Sequence, residues 1–213
     1  MKLNDELLMI QERIASKAIL EDYFDKLDVI GGVDQAFFED KIISGIVLLD
    51  YTTMDKIEEV YTVMDVNFPY IPGLLSFREA PSIIEAFGKL KRLPDILMVD
   101  GCGVNHPRFA GLATHVGVEL DIPTIGVAKK ILCGEYKVKP EVVGEICGIS
   151  YKGKIVGTIL KSKKNCNPLI IAPGHKVSVD SSLEIVKTCL RGYKLPEPTR
   201  QAHMYAGSIK RRL

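Results

Sequence analysis

The chain has 213 residues, 46% of them hydrophobic, enough for one sizeable core and within the ordinary length of a single α/β domain spanning residues 1–213. Its apolar runs fall far short of the roughly 20 residues that a bilayer span needs, and the first residues lack the apolar stretch of a secretory leader, so the expectation is a cytoplasmic protein with no membrane partner. Five widely spaced cysteines without a CxxC pair argue against a zinc site and a disulfide framework, while a net charge of +1 says nothing in bulk about polyanionic partners.

Charge distribution says more. Residues 1–66 hold 15 acidic against 6 basic side chains, a balance of −9 that leaves +10 on the remainder, a weak pointer to a polyanion met by the later part of the chain. Along the chain, Leu7, Leu8, Ile10, Ile14, Ala18 and Ile19 fall at near-helical spacing. Three β-branched runs follow, at 29–38, 42–49 and 57–64, with an acidic Glu39-Asp40 turn between the first two. Beyond a Pro/Gly-rich stretch, a helix is expected at 81–90 with Pro81 in its first turn. Residues 96–99 are wholly apolar and bounded by Pro94 and Gly101, the pattern of a buried parallel strand. A helix at 109–120, a buried strand at 124–127, a hairpin over 143–160 turning at Lys152-Gly153, and helices at 182–190 and 197–210 complete the reading. This order gives an α/β fold, a mixed sheet flanked by helices, compatible with a ribonuclease H-like architecture.

Several residues could carry chemistry. Asp34 lies inside the first strand, where an ionised carboxylate needs a partner, an exposed edge or a metal. Asp100 ends the 96–99 strand, and strand carboxyl ends are where sites gather in open α/β sheets. Two such carboxylates on neighbouring strands would make a hard oxygen site suited to Mg²⁺, although each alone reads more often as a turn or cap residue. Glu79 enters the 81–90 helix, where the helix dipole accounts for an acid as well as a third ligand does. Lys129 follows the second buried strand and could neutralise a phosphate, whereas Lys130 reads as solvated. Of the histidines, His106 reads as a loop residue, His115 as mid-helix, His175 as following a Pro173-Gly174 turn, and His203 as lying on a helix that Thr199 can cap. No dinucleotide fingerprint, Walker lysine or nucleophile elbow is present.

In order, Gly32-Val33-Asp34, Pro69-Tyr70-Ile71-Pro72-Gly73, Phe77-Arg78-Glu79, Val99-Asp100-Gly101, His106-Pro107-Arg108 with Gly111-Leu112-Ala113, Gly126-Val127-Ala128-Lys129, and Pro198-Thr199-Arg200 with His203 resemble the endonuclease V family. The resemblance runs from about residue 29 to residue 205. It implies a ribonuclease H-like fold and a Mg²⁺-dependent repair endonuclease, with Mn²⁺ able to substitute. Such an enzyme recognises deoxyinosine in DNA and hydrolyses the second phosphodiester on the 3′ side of the lesion. By the same resemblance Asp34, Asp100 and Glu79 are metal-binding and catalytic carboxylates, with Lys129 and His203 beside them. Pro69, Tyr70, Ile71 and Pro72 form a wedge that fills the gap left by a flipped base, and Gly73, Leu75, Gly101, Gly103, Leu112 and Gly126 build the base pocket. A proline-flanked aromatic suits insertion into a duplex, though alone it reads as a surface loop residue. The protein is expected to act as a monomer. Two alternatives stand beside this reading: an endoribonuclease on inosine-containing RNA and a non-catalytic nucleic-acid-binding module.

Overall fold

The structure is a computed structural model that describes residues 3–213, of residues 3 and 4 the backbone alone. Helix α1 (Leu3–Lys17) leads into an antiparallel meander, β1 (Val29–Phe38), β2 (Lys41–Asp50) and β3 (Lys56–Asp65). Helix α2 (Leu75–Phe87), β4 (Ile96–Asp100), α3 (Leu112–Leu120) and β5 (Thr124–Ala128) come next. The hairpin β6 (Ile146–Tyr151) and β7 (Lys154–Leu160), strand β8 (Leu169–His175), α4 (Val179–Thr188) and α5 (Glu197–Lys210) complete the chain order. One eight-stranded sheet results, in the order β3-β2-β1-β4-β5-β8-β7-β6. β1, β4 and β5 run parallel and every other pairing is antiparallel, so the mixed α/β sheet expected from the sequence is the one that forms.

The period of two along each strand sorts the core into layers. In β4, Ile96 and Met98 join a cluster with Leu183, Val186 and Ala202 under α4 and α5, whereas Leu97 and Val99 join Ala80, Ile83, Ala113 and Val116 under α2 and α3. A strand covered on both faces must be apolar throughout, which is why this run carries no alternation in sequence. Helix α5 seats directly on β1, because a side chain on Gly32 would meet the Pro198 carbonyl oxygen at 2.0 Å. Gly45 gives the same helix room beside Tyr205 and Ala206.

Several boundaries differ from the sequence expectation. Helix α2 begins six residues earlier than expected, so Pro81 lies inside it and Glu79 sits in its body. Pro81 is exposed, and the Phe77 carbonyl that its missing N–H leaves unbonded is on a turn that water can reach. Helix α3 starts at Leu112, because Phe109 takes a left-handed φ of 56° and Gly111 is extended. Strand β6 starts at Ile146, and α4 starts at Val179 behind a Ser178 cap that accepts from the Ser181 amide. Thr199 caps nothing; it lies within α5 and its hydroxyl donates to the Pro196 carbonyl. His175 is a strand residue: Pro173 and Gly174 belong to β8, where a register shift against Thr124 and Ile125 accommodates a residue with no amide to donate.

Candidate active site

Register assembles the charged residues. Val33 pairs with Val99 across the parallel β1 and β4, so the next residues, Asp34 and Asp100, stand side by side on the α5 face. Asp100 pairs with Val127 of β5, and Lys129, two residues on, projects to the same side. The Asp34 and Asp100 carboxyl groups are close enough for Asp34 to raise the proton affinity of Asp100. His203 reaches over from α5, its Nδ1 at 2.6 Å from Asp34 Oδ2, and the Lys129 ammonium pairs with Asp100 Oδ2. Glu79 arrives from the opposite layer on α2 and is buried.

Negative charge here exceeds what the protein neutralises. Burial, then Asp100 and Asp34, push the Glu79 carboxyl up to about 7 against the opposing pull of Arg78. Burial and Asp34 likewise raise Asp100, with Lys129 opposing. Burial depresses the Lys129 ammonium, but Asp100 and Asp34 outweigh it and hold the lysine above its ordinary value. Three crowded carboxylates, two of which, Glu79 and Asp100, are raised by their neighbours, are a hard oxygen donor set suited to a small divalent cation. Among the described residues no three such groups converge tightly enough to form a finished cage, and Lys129 and His203 each engage a carboxylate oxygen. The donor chemistry therefore fits Mg²⁺, with side-chain adjustment at those two partners.

Beside the acids lies a cavity of about 300 Å³, lined by Tyr70, Pro72, Gly73, Leu75, Ser76, Cys102, His106, Ala110, Gly111, Leu112, Lys130, Ile131 and Leu132. Its rim is a fixed turn. Leu74 donates to the Ile71 carbonyl at 2.9 Å, with Pro72 and Gly73 between them and Gly73 at φ 79°, the dihedral that position of a type II turn requires. Tyr70, just before the turn, is 67% exposed. The Ser76 hydroxyl is buried at the cavity with no partner among the described residues. Burial and Cys133 push the Cys102 thiol up to about 12, so it serves as an apolar wall.

The structure thus brings Asp34, Asp100, Glu79, Lys129 and His203 together, and gathers Tyr70, Pro72, Gly73, Leu75 and Leu112 around the cavity. Pro69 and Ile71 belong to the same loop without lining it. Gly101, Gly103 and Gly126 do not line it either. They pack beneath it: a side chain on Gly103 would strike the Pro173 carbonyl oxygen at 2.2 Å, and one on Gly126 the Gly103 amide at 2.5 Å. Sequence reasoning missed Ser76, Cys102, Ala110, Gly111, Ile131 and Leu132. The last two carried a signal, an apolar pair in a loop directly after two lysines. His106, read as a loop residue, is in the loop between β4 and α3 and is buried.

The Endonuclease V family profile matches residues 12–204. An endonuclease V of Dictyoglomus thermophilum is 45% identical over 202 residues, covering 95% of this chain and 89% of that protein. A solved Bacillus subtilis endonuclease V superposes with a TM-score of 0.93 at 30% identity, over all of this chain and 94% of that one. A Ciona intestinalis endonuclease V, solved with a 23-mer DNA containing an inosine followed by a ribo-adenosine, shares the fold at 24% identity, with a TM-score of 0.86 over 100% of this chain and 99% of that one. By these matches, and by the seven motifs that the fold gathers at one end of the sheet, the chain belongs to the endonuclease V family.

Proposed function

We propose that the protein is a DNA repair endonuclease that takes a deoxyinosine base into the cavity beside Cys102 and hydrolyses the second phosphodiester on its 3′ side with Mg²⁺. The observation that carries the reading is adjacency: Asp100 of the carboxylate cluster is two residues from Cys102 in the cavity wall, and an exposed Tyr70 stands at the cavity rim. The first turn of α3 opens onto the cavity at Gly111 and Leu112; the Gly111 and Ala113 amides are taken by the Gly103 and Cys102 carbonyls, and the Leu112 amide between them suits an O6 or N7 acceptor of hypoxanthine. Tyr70 supplies a ring that offsets the unstacking left by the extruded base.

Asp34, Asp100 and Glu79 would hold Mg²⁺, which supplies charge neutralisation at the phosphate and a more acidic attacking water. Lys129 balances Asp100 and presents positive charge where the phosphate arrives. His203, anchored through Nδ1 on Asp34 and largely exposed, leaves Nε2 to hold or move a proton at the scissile group. The test is a labelled duplex with one deoxyinosine, incubated with Mg²⁺ or with chelator. A single metal-dependent nick on the 3′ side is expected, and Asp34→Ala and Asp100→Ala should abolish it while retaining lesion binding. Full activity in either variant would overturn the metal assignment. An inosine-containing RNA strand belongs in the same experiment, because the strand bound by the Ciona protein carries a ribo-adenosine after the inosine.

A further inference from the structure

Gln11 is completely buried on the face of α1 that carries Ile14, a costly place for an amide unless both of its ends are bonded. Both are. Its Nε2 donates to the Gly73 carbonyl at 2.9 Å, and its Oε1 accepts from Arg108 Nε. Arg108 in turn donates through Nη2 to the same Gly73 carbonyl at 2.7 Å. A third donor closes the arrangement: His106 Nδ1 accepts the Arg108 amide at 3.2 Å, which fixes the tautomer with hydrogen on Nε2, and that nitrogen lies 3.2 Å from Gly73 O. One backbone carbonyl thus takes three donors, from α1 and from the loop between β4 and α3, at the residue whose left-handed φ shapes the turn after Tyr70.

We infer that Gln11 is a positioning residue for the Tyr70 loop: it locks the angle at which the ring stands over the cavity, and so governs recognition of the lesion in a duplex. Gln11 is not itself part of the carboxylate cluster or the cavity lining and meets the cavity wall only through the Gly73 carbonyl, and it lies one residue before the stretch that the family profile matches. A surface helix needs no buried amide to pack; this one exists to reach Gly73. Losing it leaves Arg108 Nε without its acceptor and frees the turn to swing with one donor fewer. The inference rests on the proposed reading of the loop as the element that fills the gap in a stack. A single strand has no partner strand to hold apart, so it needs no rigid ring.

The experiment compares cleavage of one deoxyinosine oligonucleotide, paired and unpaired, by the parent protein and by Gln11→Met and Gln11→Ala. Gln11→Met keeps the volume and removes both hydrogen bonds, so it can be read even where the alanine variant folds poorly. We expect kcat/KM on the duplex to fall about tenfold, the size of one buried hydrogen bond network broken, chiefly through KM. Cleavage of the single strand should be unchanged, and adding Gln11→Met to Tyr70→Ala should cost nothing further. Equal losses on both substrates, or an undiminished duplex rate, overturn the inference. A parent protein that nicks neither substrate overturns the functional reading beneath it.

Discussion

Asp34, inside a strand, and Asp100, at a strand end, were legible in the sequence, because an unpaired carboxylate in an apolar strand is anomalous wherever it occurs. His203 was legible only through the resemblance: its bond to Asp34 joins residues 169 positions apart, and no local pattern encodes such a contact. Gln11 was invisible for a related reason, since a polar residue on an amphipathic helix reads as solvated until its burial is known. His106 makes a testable case at this scale. Burial, with Arg108 adding to it, lowers its pKa to about 4 against the opposing Gly73 carbonyl, so the folded protein holds a neutral ring. The unfolded chain, with the ordinary value of 6.5, takes up the proton first as pH falls. The neutral ring's contribution is therefore whole above pH 6.5 and drains away towards pH 4, by up to about 3 kcal/mol. Urea unfolding of the parent and of His106→Gln across that window should show the parent losing more stability on acidification. Parallel pH profiles would contradict the assignment.

Among elements, the ones the sequence revealed are those whose packing is uniform. The runs 96–99 of β4 and 125–128 of β5 carry no polar side chain because helices cover both faces, and α5 matches its expected span of 197–210 because its apolar spacing persists to the end. The hairpin turn at Lys152-Gly153 was legible from its residues, and both adopt left-handed φ values, 48° and 75°, as a two-residue turn between twisted strands demands. β8 was not legible, because Pro173 and Gly174 look like a break and only a neighbouring strand with a bulge can use them. The start of α2 was hidden in the same way by Pro81. The contact between α5 and β1 yields a prediction. Gly32→Ala places a methyl group against a backbone carbonyl that cannot step aside, whereas Gly45→Ala meets only the Tyr205 ring at 3.1 Å and nearby atoms of Ala206. Gly32→Ala should destabilise by about 3 kcal/mol or more and detach His203 from Asp34, and Gly45→Ala should cost less. Denaturation midpoints decide it, and the reverse ranking would refute the close-packing argument.

Over the whole molecule, the basic excess of residues 67–213 is partly gathered beside the acids. One groove of about 530 Å³ runs from His203 past Arg211 and Arg212, with Lys56 and Glu59 of the first part on its other side, and a smaller one of about 130 Å³ carries Lys129, Lys130 and Lys139 with Tyr136. Phosphates following these grooves would displace counterions, so Lys139→Ala should lower the slope of log binding constant against log salt by about 1 and leave the saturated cleavage rate intact. An unchanged slope would remove that groove from the nucleic-acid path. The bond between Asp34 and His203 has a further consequence. It joins the first strand to the last helix, and both Asp34's neighbours in the sheet and the glycine seat for α5 must be in place before the two can meet. The loop they close is nearly the whole chain, so its entropy is offset only when the intervening layers have already condensed. On the proposed roles of Asp34 and His203, the complete site therefore belongs to the finished fold. A chain shortened before α5 would keep the acids and lose their histidine.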